Sequence, residues 1–249
     1  MSLACDSLMC AQPRALAEPR HRLYLAEMNE IRRSYHEELE ALQGELVRMA
    51  GLVTENILRG TAAFLDEDLK AIEDLIESDR EIDAICHDIE ERTYALMAMQ
   101  QPMAGDLRTL VSMLRIIHEI ERSGDLMVNI AKMGRKLYSQ QIDPKLRGII
   151  RDMGNQAHRT FASAVEALVS RDTDKAKALE EMDDVIDDYQ RDLLRQILSA
   201  GEEHLEVSIR VALVGRFYER IADHAVNIGE RVIYTVTGEI PGLTSAGDS

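Results

Sequence analysis

The chain predicts an all-α protein of six long helices, arranged as two tandem copies of one three-helix unit. Three observations carry that expectation. Apolar residues recur at three- and four-residue steps from near Met28 to near Thr237. Aromatic residues make up 4% of the chain and Trp is absent, whereas the helix formers Met, Leu, Ala, Glu and Arg are plentiful. An acidic motif in the first half returns in the second after roughly 100 residues, the spacing of a duplicated small bundle rather than a solenoid.

Residues 1–27 read differently from the rest: Pro13 and Pro19 break the segment and Arg14, Arg20 and Arg22 stud it, so a flexible extension is expected there. A first helix is expected over 28–64, with Leu39, Leu42, Leu46, Met49, Val53 and Ile57 on its apolar face. Asp66 can cap a second helix that runs to about Met99. Gln101-Pro102 marks a turn, and Pro102 suits the entry to a third helix ending near Tyr138. Asp143-Pro144 opens a fourth, to about Ser170, and Asp172 or Thr173 a fifth, to about Ser199. Ala200-Gly201 is a break before a sixth helix that reaches Thr237, where Gly238 and Pro241 end the order. The units expected are thus 28–140 and 141–238, followed by a disordered tail over 239–249.

Composition narrows function. A net charge of −16 argues against nucleic acid as a ligand, because neutralising phosphates needs a basic surface. It is compatible with binding cations or docking on a basic protein. Three unclustered cysteines, an odd count, point to reduced thiols and a cytoplasmic location. No apolar run of about 18 residues is present to span a membrane, and no apolar stretch follows a basic start as in a signal peptide. Contact with a membrane is expected only through partners. Apolar residues on several sides of a bundle are compatible with a homodimer.

The repeated motif is E-R-x-x-D-x-x-x-N-I, at Glu121, Arg122, Asp125, Asn129 and Ile130, and again at Glu219, Arg220, Asp223, Asn227 and Ile228. A second pattern, D-x-x-I-D, pairs Asp79, Ile82 and Asp83 with Asp183, Ile186 and Asp187. Residues four apart lie on one face of a helix. Each unit therefore carries two carboxylate pairs: Asp79 with Asp83 and Glu121 with Asp125 in the first, Asp183 with Asp187 and Glu219 with Asp223 in the second. These acids interrupt otherwise apolar stripes, so something must cover them. Left unpaired they repel, by roughly 0.2–0.5 kcal/mol per pair in solvent and more where water is excluded. Two remedies are open: pairing with arginines such as Arg80, Arg122 and Arg220, or bridging by cations. Oxygen-only donors favour hard ions such as Mg²⁺, Mn²⁺, Ca²⁺ or Fe³⁺ over Zn²⁺.

On these residues the chain resembles the PhoU family of phosphate-uptake regulators. The likeness spans 28–238 and includes H-E-E-L-E-A-L from His36, Q-P-x-A-x-D-L-R from Gln101, and the two E-R motifs. The resemblance implies two pseudo-symmetric three-helix bundles whose acids Asp79, Asp83, Glu121, Asp125, Asp183, Asp187, Glu219 and Asp223 hold metal ions: iron, in some members as multinuclear clusters, or manganese or magnesium. It further implies a negative regulator of phosphate uptake and of the phosphate regulon. The implied partners are the ATPase subunit of a phosphate ABC transporter and a phosphate-sensing histidine kinase. The chain departs from an even repeat in two places: Asp106-Leu107-Arg108 faces His204-Leu205-Glu206, and Gly124 becomes Ala222. The extension before Met28 has no place in the family pattern.

Histidines are weaker candidates. His87 follows Asp83 by four residues, but its counterpart is Arg191; His118 precedes Glu121 by three, but Arg216 replaces it; His224 points about 100° from Asp223 and is expected at the surface or facing a partner. Asn129 and Asn227 could orient a carboxylate or bond between helices. A carboxylate-bridged metalloenzyme of the ferritin type needs Glu-x-x-His on core helices, and the chain has that spacing only at Glu18–His21. Neither G-x-S-x-G nor a Walker A sequence occurs, so catalysis is not expected. A metal-free helical adaptor is the remaining alternative.

Overall fold

The computed structural model describes residues 17–100, 102–199 and 205–239. Among them every regular element is an α-helix, in the order α1 (Ala17–Asp66), α2 (Leu69–Gln100), α3 (Gly105–Leu137), α4 (Pro144–Ser170), α5 (Thr173–Lys177), α6 (Leu179–Ser199) and α7 (Leu205–Thr237). The expected break at Ala200-Gly201, Gln101, residues 1–16 and the tail beyond Glu239 lie outside the described residues.

Helix ends follow local chemistry, with four departures from expectation. Helix α1 begins at Ala17, not Met28, so residues 17–27 are helical rather than a loose extension. Pro19 does not prevent this, because it falls in the first turn, where the missing N–H would have no intrahelical acceptor. The cap of α2 is Asp68 rather than Asp66: its Oδ1 accepts from the N–H groups of Lys70 and Ala71, both at 3.0 Å. Helix α3 starts at Gly105, three residues after Pro102, behind Ala104 at φ 49°. The fifth predicted helix is two, broken at Ala178. No Pro or Gly signals that break. The break lies where α7 approaches most closely: a side chain at Gly229 would meet Leu179 Cδ1 at 2.6 Å and the Ala176 carbonyl at 3.0 Å.

Other ends are as the sequence predicts. Asp143 caps α4 through Lys145 N at 2.7 Å, with Pro144 in the first turn. Asp172 caps α5 through Asp174 N and Lys175 N. Gly238, at φ 80°, takes the left-handed conformation that ends α7.

The chain divides after Ala41 into two compact units, Met1–Ala41 and Leu42–Ser249. In the first, Arg33 Nε pairs with Glu37 Oε1 at 2.9 Å along one exposed helical face. The second holds α1 from Leu42 onward and all of α2 to α7. In it α3 packs on α7, the third helix of each repeat; α2 lies on α3, and α6 with α4 lies on α7. Leu42, Met49, Val53 and Ile57 of α1 are fully buried, as are Ile82 and Ile89 of α2, Ile117 and Met127 of α3, Phe161 of α4 and Ile186 of α6. The four α1 residues belong to the apolar face read from the sequence.

Tyr218 of α7, also fully buried, reaches α1, where its hydroxyl lies 2.8 Å from Thr61 Oγ1. Thr61 donates its own proton to the Ile57 carbonyl at 2.7 Å, so Tyr218 is the donor. Tyr218→Phe should lower unfolding stability by about 1–2 kcal/mol, since Thr61 keeps its other bond. Urea denaturation should show an earlier midpoint at unchanged slope; an unchanged midpoint would mean the bond is not formed.

Candidate metal centre

The eight predicted carboxylates lie on four helices: Asp79 and Asp83 on α2, Glu121 and Asp125 on α3, Asp183 and Asp187 on α6, Glu219 and Asp223 on α7. Packing of α2 on α3 gathers the first four, and packing of α6 on α7 gathers the second four. Electrostatics reports the gathering. Burial, then the charges of Asp83, Asp125 and Glu121, push the Asp79 carboxyl up to about 6. Burial, then Asp223, Asp187, Asp184 and Glu219, push Asp183 up to about 6 as well. Glu121 is raised by burial and by Asp125 and Asp83.

Two local features fit such sites to a cation. Asp183 Oδ1 is buried without a hydrogen-bond partner, a costly state for a carboxylate that nothing neutralises. At the first cluster the backbone of Gly124 makes room for Asp79, whose Oδ1 would lie 3.3 Å from a Cβ placed there. Ala222, fully buried, stands at the equivalent place in the second repeat. The donors are all hard oxygens, the set that suits Mg²⁺, Mn²⁺ or iron. They are neighbours rather than a closed shell: among the described residues no group of three or more His, Cys, Asp or Glu side chains is placed to hold a metal ion.

Arginine pairing accounts for little of this charge. Arg80, Arg122 and Arg220 form no ion pair among the described residues, although Arg122 weakly lowers Glu121. The exception is one the motif comparison passed over: Arg216 is ion-paired with Glu219. Its i, i+3 spacing was visible in the sequence, but only as the residue standing where His118 stands in the first repeat. Gln190, one turn beyond Asp187 toward the C-terminus, is also new: its Oε1 is buried without a partner, against the backbone of Gly215. Cys86 occupies the equivalent place in the first repeat, where burial and then Glu121, Glu90 and Asp83 push its thiol up to about 11.

The histidines resolve differently. His87 is exposed and pairs with Glu91 at 3.5 Å, away from the acids. His118 Nε2 lies 3.7 Å from Glu90. His224 is not at the surface: it is 5% exposed, with Nδ1 2.5 Å from Glu119 Oε2 on α3. Asn227 donates to the same oxygen at 3.3 Å, so it bonds between helices. Burial would raise the Glu119 carboxyl, but the bonds from His224 and Asn227 and the charge of Arg122 hold it below the usual range. Sequence periodicity could not place this contact, because it joins the two repeats. Apart from the acids, a groove of about 350 Å³ lined by Leu46, Met113, Ile116, Leu168 and Val232 contains none of the eight carboxylates.

The PhoU domain model matches residues 46–133 and again 150–232, one match for each three-helix repeat. The chain belongs to the PhoU family. Among curated relatives, the "Phosphate-specific transport system accessory protein PhoU homolog 1" of Mycobacterium tuberculosis is 40% identical over 213 residues, covering 85% of this chain and 96% of that protein. The Thermotoga maritima protein of the same name is 30% identical, covering 82% and 90%. The crystal structure of PhoU from Pseudomonas aeruginosa superposes with a TM-score of 0.79 at 28% identity, over 82% of this chain and all of that one. That of the phosphate transport system regulatory protein PhoU from Streptococcus pneumoniae gives 0.76 at 26% identity, over 83% and 98%. All-helical architecture and a duplicated PhoU unit are therefore established for this chain.

Proposed function

We propose that this protein is a negative regulator of phosphate uptake and of the phosphate regulon. It is a cytoplasmic, metal-binding helical adaptor that links the ATPase subunit of a phosphate ABC transporter to a phosphate-sensing histidine kinase. The observation that carries the reading is kinship across both repeats with proteins named for phosphate-specific transport. Absence of any helix long and apolar enough to cross a membrane among the described residues agrees with contact through partners. The protein works by docking, not turnover. Iron, manganese or magnesium, held by Asp79, Asp83, Glu121 and Asp125 and by Asp183, Asp187, Glu219 and Asp223, would tie α2 to α3 and α6 to α7. The orphaned Asp183 Oδ1 and the raised carboxyls of Asp79, Glu121 and Asp183 support this part of the reading. A metal-free adaptor is favoured by the Arg216–Glu219 pair at the second cluster and, at both, by the open spacing of the acids among the described residues.

Deleting the gene should derepress a phosphate-regulon reporter at high phosphate, and the tagged protein should co-purify with the transporter ATPase. A reporter that stays repressed in the deletion strain would refute the regulatory role.

A further inference from the structure

The two acidic clusters share their four acids but not the side chain three residues before the motif glutamate, which is His118 in α3 and Arg216 in α7. That difference changes what a cation meets. At the first cluster His118 pairs with Glu90, which is not one of the four acids, at 3.7 Å, and its charge reaches Glu121 only through space. At the second, the Arg216 guanidinium sits directly on Glu219, whose side chain is only 17% exposed while that of Arg216 is 52% exposed. The half-buried carboxylate is thus covered by a half-exposed cation. The guanidinium also feels the charges of Asp223 and Asp187.

Building on the reading that these acids bind metal, we propose that Arg216 is a counter-ion built into the second cluster, which a divalent cation must displace from Glu219 before it can bind there. The first cluster has no such cap. Arginine is suited to the task, because its charge is permanent and its planar fork matches a carboxylate. Other flanking charges run the opposite way. Asp184 and Glu230 stand in the second repeat where Arg80 and Lys132 stand in the first. Asp184 raises Asp183, and Lys132 is the weakest of the influences on Asp79. Each site is therefore compared with its own variant.

The test is a Mn²⁺ titration of the full chain, followed by the electron paramagnetic resonance signal of free Mn²⁺. Glu121→Gln with Asp125→Asn silences the first site and leaves the second to be read. In that background Arg216→Gln should tighten Mn²⁺ binding about fivefold, the factor that corresponds to losing a half-exposed ion pair. In the reciprocal background, Glu219→Gln with Asp223→Asn, His118→Arg should weaken the first site by a similar factor. Both exchanges are at half-exposed positions, 52% in each case, so neither threatens the fold. Constants unchanged by either exchange would overturn the role of Arg216 and leave metal binding standing. A parent protein that takes up no Mn²⁺ would overturn both.

Discussion

Replacing Glu121 and Asp125 together with alanine is expected to remove the metal of the first cluster and leave the second loaded. The pair supplies both donors that α3 contributes, and what remains, Asp79 and Asp83, lies on α2 alone. Two carboxylates on one helix do not surround a hard ion that takes six or more oxygens, so binding should fall below detection after a desalting column. Elemental analysis of Mn²⁺-loaded protein should show about half the parent content. Exposed Asp125 and half-buried Glu121 leave no apolar hole, so the helical signal should be unchanged. Equal metal content in parent and variant would remove these residues from the site.

The second large effect is on stability, and it has opposite signs with and without metal. Asp79 and Asp183 each have a folded pKa of about 6 against an ordinary 3.8. A carboxyl whose folded pKa is raised favours folding in its neutral form. That contribution is fully present below about pH 3.8 and is lost as pH rises through about 6. Above pH 6 the metal-free protein holds mutually repelling carboxylates in partly buried troughs. Asp79→Asn with Asp183→Asn should therefore stabilise the metal-free protein at pH 7.5, by about 1–2 kcal/mol per site once solvent screening is allowed for. The same variant should lose the further stabilisation that Mn²⁺ gives the parent. Glu119 and Asp172, whose folded pKa values are depressed, act in the other direction: their contribution is lost as pH falls. The informative quantity is accordingly the difference between variant and parent at each pH, read from urea midpoints. A variant less stable than the metal-free parent at pH 7.5 would mean that the acids are already neutralised by protein groups.

These two experiments probe features of different legibility. Both acidic clusters were readable before any coordinates, because spacing of four residues puts each pair on one helical face and the duplication shows which pairs belong together. The caps Asp143 and Asp172 were equally local. Asp68 was missed for Asp66 because neighbouring aspartates compete and the left-handed turn at Glu67 decides between them. His224 was misplaced for a longer-range reason. Its angular offset from Asp223 was correct, but the direction it faces is occupied by α3 of the other repeat, where Glu119 receives it.

Periodic burial of Leu, Ile and Met, turn chemistry and an internal repeat are properties of neighbours along the chain, and they suffice for the helical class, the duplication and the acids each repeat carries. Folding decides what is met across a gap of many residues. The break at Ala178 under Gly229, the bond from Tyr218 to Thr61, the Glu119–His224 contact and the freedom or capture of each carboxylate all depend on which helix lies opposite. Arg216 shows the limit most sharply. Helical spacing allows it to reach Glu219, but only the closure of α6 on α7 brings Asp187 within reach of the same charge. Periodicity speaks for one helix at a time, and electrostatics at a site is a sum over several.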